Sequence, residues 1–88
     1  MKTRLDELSD LFERAAATGR FPKLLKELFT PRELHDLSLR LGLLRLLCDG
    51  VPQRKIAAAL GVSLCKVTRG SRILKEPGSV VKSLIKNP

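Results

Sequence analysis

Gln53–Lys75 reads QRKIAAALGVSLCKVTRGSRILK, and it carries the residue grammar of a helix-turn-helix. Two short helices that cross steeply around a tight turn need particular residues at fixed places. Ile56 and Leu60 supply the apolar side of the first helix, and Ala57 is small where the two helices come closest. Gly61 suits the left-handed turn conformation that other residues resist. Val62 plugs the turn, Ser63 is a good N-cap for the second helix, and Val67 is the next inward position. An ordinary helical hairpin would use the same turn, but would not account for the surrounding charge.

That charge is uneven. Residues 51–88 hold eight basic side chains against Glu76 alone, so +7 of the net +8 lies in this segment. A localised positive field points to a polyanion, most often nucleic acid. The outward positions are therefore candidate DNA contacts. Leu64, Cys65, Lys66, Thr68 and Ser71 sit on the second helix, whose first turns normally enter the major groove. Leu64 and Cys65 suit thymine methyls, Lys66 suits phosphate or guanine, and Thr68 suits a base or phosphate. Gln53 and Arg54, with Ala57 behind them, begin the first helix and suit phosphates, and Arg72 and Lys75 extend the phosphate-facing edge.

Working outward, the pattern predicts an all-α chain of about six helices. Leu5, Leu8, Phe12 and Ala15 fall at helical spacing, and Thr18-Gly19 stops that helix. Phe21-Pro22 opens a short second helix through Phe29. Thr30-Pro31-Arg32-Glu33 is a capping box with proline at the first helical position, opening a third helix that runs to about Cys48 before Asp49-Gly50. Its leucines form two stripes: Leu34, Leu37, Leu41, Leu44 and Cys48 on one, Leu39, Leu43 and Leu46 on another. A helix with so little polar surface belongs at the centre of a bundle or is shared with a second chain. With 88 residues to cover both faces, a homodimer is expected. A last helix begins near Ser79, after Glu76-Pro77-Gly78. The expected organisation is one domain, 1–88. Residues 1–50 form a helical dimerisation core, 51–75 the helix-turn-helix head, and 76–88 the C-terminal helix.

Other classes find little support. Arg40 and Arg45 interrupt the most apolar region, and the N-terminus has no signal-peptide core, so a cytoplasmic protein without a membrane partner is expected. Cys48 and Cys65 lack metal-ligand spacing, and His35, the sole histidine, has no evident catalytic company, so neither a metal site nor an enzyme is expected.

Gly70 departs from the helix-turn-helix grammar, since the residue three after Val67 is ordinarily apolar. Glycine inside a helix costs roughly 1 kcal/mol relative to alanine. Either something fills the space, or the backbone approaches another element closely. At this point the chain resembles the Trp repressor family. The carrying segments are LFTPREL (28–34), the long third helix with Arg40, Gln53-Arg54, VTRGS (67–71) and Leu74-Lys75, and TRGS is the most specific. The resemblance implies an intertwined all-α dimer that represses transcription from a double-stranded DNA operator of tryptophan-related genes, with L-tryptophan as corepressor and no other cofactor. It further implies that the indole lies between the guanidinium planes of Arg40 and Arg69. Arg69 would contact the ligand carboxylate, Gly70 would leave room for the ring edge, and the ammonium group would meet carbonyls at Glu27, Phe29 and Thr30 of the partner subunit. Three features depart from the family pattern. Ile73 stands where its repressors carry a serine near the ligand amine, the joint before the helix-turn-helix is one residue shorter, and Lys66 replaces a smaller polar residue. Two alternatives stay open: a regulator of the same fold that is tryptophan-independent or senses another small molecule, and a helical dimerisation module that does not bind DNA.

Overall fold

The computed structural model describes residues 1–86, and every element in them is helical: α1 (Arg4–Ala17), α2 (Phe21–Leu28), α3 (Pro31–Cys48), α4 (Gln53–Leu60), α5 (Leu64–Lys75) and α6 (Val80–Lys86). Six helices begin and end within a residue or two of the expected places. The expected C-terminal helix is seen as Val80–Lys86, and residues 87 and 88 lie outside the described residues. No helix among the described residues is long and apolar enough to cross a membrane.

The boundaries follow from local chemistry. The Thr30 hydroxyl accepts the Glu33 backbone N–H at 3.1 Å, and the Glu33 carboxylate accepts the Thr30 N–H at 2.8 Å, closing the capping box of α3. A second capping box opens α1, and sequence reasoning missed it. Asp6 accepts the Thr3 N–H at 3.0 Å and Thr3 Oγ1 accepts the Asp6 N–H at 3.1 Å. The signal was available as Thr3-x-x-Asp6, a shorter variant of the usual Thr-x-x-Glu.

The bond from the Thr3 backbone N–H, followed by that from its hydroxyl, holds the Asp6 carboxyl below its ordinary value. A depressed folded value means the cap stabilises the helix above the ordinary carboxylate range. That contribution is lost as pH falls through the range toward the lowered value. An NMR titration of Asp6 is therefore expected to show a midpoint more acidic than that of a free aspartate. In Thr3→Ala the midpoint should move back toward the ordinary value.

The chain divides into two compact units, residues 1–35 and 36–88. In the first, Phe12 of α1 meets Phe21 of α2 with ring centroids 5.0 Å apart and planes tilted by 45°, within the range that favours aromatic pairs. Ala15 is buried beside them in sequence, on the same apolar stripe.

The second unit holds the main core. Leu43 and Leu44 of α3, Ile56 of α4, and Val67 and Leu74 of α5 form one buried cluster. Ile56 and Val67 are fully enclosed, at 0% exposure. Leu60, Val62 and Cys48 pack around it, with Val81 and Ile85 from α6. The apolar turn positions expected from sequence are thus the ones that point inward.

Candidate ligand cleft and nucleic-acid interface

The helix-turn-helix of α4 and α5 is built around its turn. Gly61 adopts φ 65°, ψ 35°, the left-handed region where a side chain is disfavoured. The Val62 N–H returns to the Ala57 carbonyl at 3.1 Å, and Ser63 Oγ accepts the Lys66 N–H at 3.3 Å to cap α5. These contacts fix where α5 starts, and so which of its residues face outward.

A helical residue advances by about 100°, so α5 presents distinct stripes. Val67, Gly70 and Leu74 are buried. Leu64, Cys65, Arg72 and Lys75 are exposed, and Thr68 and Ser71 are half-buried between them. By helical angle these six share one outward side of α5, the candidate reading face. On α4, Arg54 is exposed and Gln53 half-buried. Ala57 packs half-buried on the core cluster, as its small size suggested, rather than standing out with the polar contacts.

Thr68 and Gln53 are brought together. The Thr68 hydroxyl donates to Gln53 Oε1 at 3.0 Å, tying the first residue of α4 to the middle of α5. Both were expected as separate DNA contacts. The bond uses one acceptor of the Gln53 amide and leaves its two N–H donors available.

The other flank of α5 lines a cleft of about 230 Å³. Lys66, Arg69, Gly70 and Ile73 line it from α5, at spacing i, i+3, i+4, i+7. Asp36, Leu39, Arg40 and Leu43 line it from α3 at the same spacing, with Leu44 and Val62 completing the apolar part. The volume lies below the roughly 300–1,000 Å³ of pockets for drug-sized ligands, a size suited to a single small metabolite. Arg40 and Arg69 therefore share one cleft, with Gly70 at its edge, whereas Glu27, Phe29 and Thr30 lie in the first unit. Lys66 also lines this cleft, a placement that helical angle gives directly and that its assignment to the reading face overlooked.

Gly70 differs from one branch of the expectation. There is no hole beside it. A Cβ built there would lie 2.5 Å from Leu43 Cδ1, 3.2 Å from Leu47 Cδ1 and 3.3 Å from Leu44 Cδ2. The glycine lets the backbone of α5 lie against the leucines of α3, and those leucines occupy the space that a core side chain at position 70 would fill. In Gly70→Ala, the helix-propensity gain of roughly 1 kcal/mol opposes overpacking of about 1–3 kcal/mol. Leu43 is itself buried and has little freedom to retreat. The expected outcome is a net loss of up to about 2 kcal/mol, seen as a lower midpoint in urea unfolding. A variant more stable than the parent would show that α5 does not rest on α3 this closely.

Comparison with known proteins agrees with this architecture. The family model described as Trp repressor protein matches residues 3–87. A Trp operon repressor homolog of Photobacterium profundum is 37% identical over 81 residues, covering 91% of this chain and 79% of the relative. One from Vibrio parahaemolyticus is 32% identical over 81 residues, with the same coverage of 91% and 79%. One from Pasteurella multocida is 37% identical over 67 residues, covering 75% and 66%. From a match that spans both compact units and runs through the TRGS segment bordering the cleft, the chain belongs to the Trp repressor family.

Proposed function

We propose that this chain is a homodimeric transcriptional repressor that binds double-stranded operator DNA of tryptophan-related genes, with L-tryptophan as corepressor in the cleft between α3 and α5. The observation that carries this reading is that one helix serves two surfaces. The reading face of α5 and the cleft face of α5 are adjacent stripes of the same twelve-residue helix. A ligand held against α3 in that cleft sets the orientation of the surface presented to the major groove.

The residues present fit an aromatic amino acid. Leucines and Ile73 give an apolar floor, and Arg40 and Arg69 bring planar cations that stack on an aromatic face. Arg69 also offers paired N–H donors to a carboxylate. Bound tryptophan supplies the ring and charges that bridge α3 and α5, and the protein's part is to hold them in the orientation that suits DNA. On the reading face, Arg54, Arg72 and Lys75 take phosphates, with Gln53 held by Thr68. Leu64 and Cys65 face base edges, and Ser71 borders them.

A homodimer is supported by apolar side chains left uncovered in a single chain. Leu37 and Leu41 of α3 are 40% and 44% exposed on one stripe, and Leu5 and Leu28 of the first unit are also exposed. Two symmetric heads would then meet successive major grooves about 34–36 Å apart.

The test is a fluorescence-anisotropy titration with duplexes selected from a random library, with and without L-tryptophan, over a salt series. The expected result is affinity that falls steeply with salt and rises with tryptophan, from a protein that light scattering finds dimeric. DNA affinity that ignores tryptophan would instead favour a second reading, which Ile73 supports by offering no hydrogen bond at the cleft: a same-fold regulator that is tryptophan-independent or takes another small molecule. Absence of any salt-dependent DNA affinity would leave only a helical interaction module.

A further inference from the structure

The cleft holds four charged side chains, and their balance is specific. Arg40, Lys66 and Arg69 are cations, and Asp36 is the single carboxylate in the lining. Asp36 and Arg40 are four residues apart on α3, a spacing at which such a pair readily closes. Yet the ion pairs among the described residues are Lys2–Asp10 and Arg4–Glu7, both at α1. The cleft's carboxylate and cations therefore face it without being paired to one another.

Ile73 sharpens the consequence. It contributes only hydrocarbon, as do the leucines and Val62, and lysine and arginine donate hydrogen bonds but accept none. A ligand ammonium group that leaves water for this cleft needs an acceptor. Asp36 is the one side chain in the lining that provides it.

We infer that Asp36 receives the ammonium group of the cleft's ligand, so that the site selects a zwitterionic aromatic amino acid over the corresponding aryl carboxylate. This rests on the reading of the cleft as an amino-acid site. It adds an acceptor supplied by this chain's own α3, at the cleft whose α5 side presents Ile73. Arg69 and Lys66 take the ligand carboxylate from α5 while Asp36 takes the amine from α3, so the two ends of one small molecule span both helices. A ligand without the amine bridges less of that span.

The test is isothermal titration calorimetry on the full chain with L-tryptophan and with indole-3-propionate, which keeps the ring and carboxylate and lacks the amine. The parent protein is expected to prefer L-tryptophan by roughly tenfold, the low end of what a hydrogen bond to a charged group contributes. Asp36→Asn should bring the preference close to one while indole-3-propionate binds as before, and Asp36→Glu should restore part of it. Asp36 is exposed, and circular dichroism melts of the variants are expected to match the parent. A preference that survives Asp36→Asn overturns the inference and leaves the amino-acid reading standing. So does a parent that binds indole-3-propionate as tightly as L-tryptophan, which would make the cleft a site for aryl carboxylates. Loss of both ligands in Asp36→Asn also overturns it, since Asp36 would then be shaping the cleft. If the parent binds neither compound, the amino-acid reading itself falls and the inference with it.

Discussion

Ile56→Ala is expected to destabilise the protein by about 2–5 kcal/mol, the range for truncating an enclosed aliphatic side chain. Ile56 has 0% exposure and sits among Leu43, Leu44, Val67 and Leu74, where α3, α4 and α5 meet. The lost methyl groups leave a cavity that three helices would have to close together. Relaxation is hindered because α5 already lies against Leu43 at Gly70. Stabilities of roughly 0.05–0.15 kcal/mol per residue make such a loss a large share of the total for a chain of 88 residues. Urea unfolding followed by circular dichroism should show a much lower midpoint. Leu64→Ala serves as the contrast, because Leu64 is 40% exposed on the reading face and should move the midpoint little. Equal shifts in the two variants would mean that the core is not organised around α4.

What the sequence made legible was chiefly what a few neighbouring residues decide among themselves. Gly61 permits the left-handed backbone that the turn needs, Ser63 caps the helix that follows it, and Thr30 and Glu33 satisfy one another across a single turn. Each signal is complete within four residues, so the joints around the reading head could be placed from the sequence. Ile56 and Val67 were legible as well, because the turn fixes their phase. Distances between elements were less accessible. Periodicity put Gly70 on the inward face and left two outcomes open, a filled hole or a close approach. The leucines of α3 decide for the close approach. The Thr68–Gln53 bond joins residues 15 apart, and nothing in either residue's neighbourhood announces it. The place of Lys66 in the cleft lining was missed for a different reason. A basic residue early in a reading helix suggests DNA, but its angle of one residue before Val67 carries it to the cleft side. Asp36 went unmarked because a lone acid on a polar helix face is usually just solvated, and only the opposing α5 makes it part of a site.

Arg69→Ala is expected to abolish the tryptophan dependence of DNA binding while leaving ligand-free binding nearly intact. Arg69 lines the cleft beside Gly70 and opposite the α3 stripe that carries Arg40. On the proposed reading, removing it takes away a charge-assisted contact to the ligand carboxylate, worth roughly 1.5–3 kcal/mol, so tryptophan should bind about 10–100-fold more weakly. DNA affinity then loses its response at ligand concentrations that saturate the parent, because a ligand shifts an equilibrium only by its differential affinity for the two states. The difficulty is that an arginine on α5 is also a natural phosphate contact, and losing one would weaken DNA binding without any ligand. Salt dependence separates the two roles. Removing a phosphate contact reduces the slope of log affinity against log salt by about one. Arg72, exposed on the reading side, should show that reduction in Arg72→Ala, with tryptophan still strengthening binding. Arg69→Ala should keep the parent slope and lose the tryptophan response. A reduced slope together with an intact response in Arg69→Ala would place Arg69 on the DNA and leave Lys66 as the cleft's cation for the ligand carboxylate on α5.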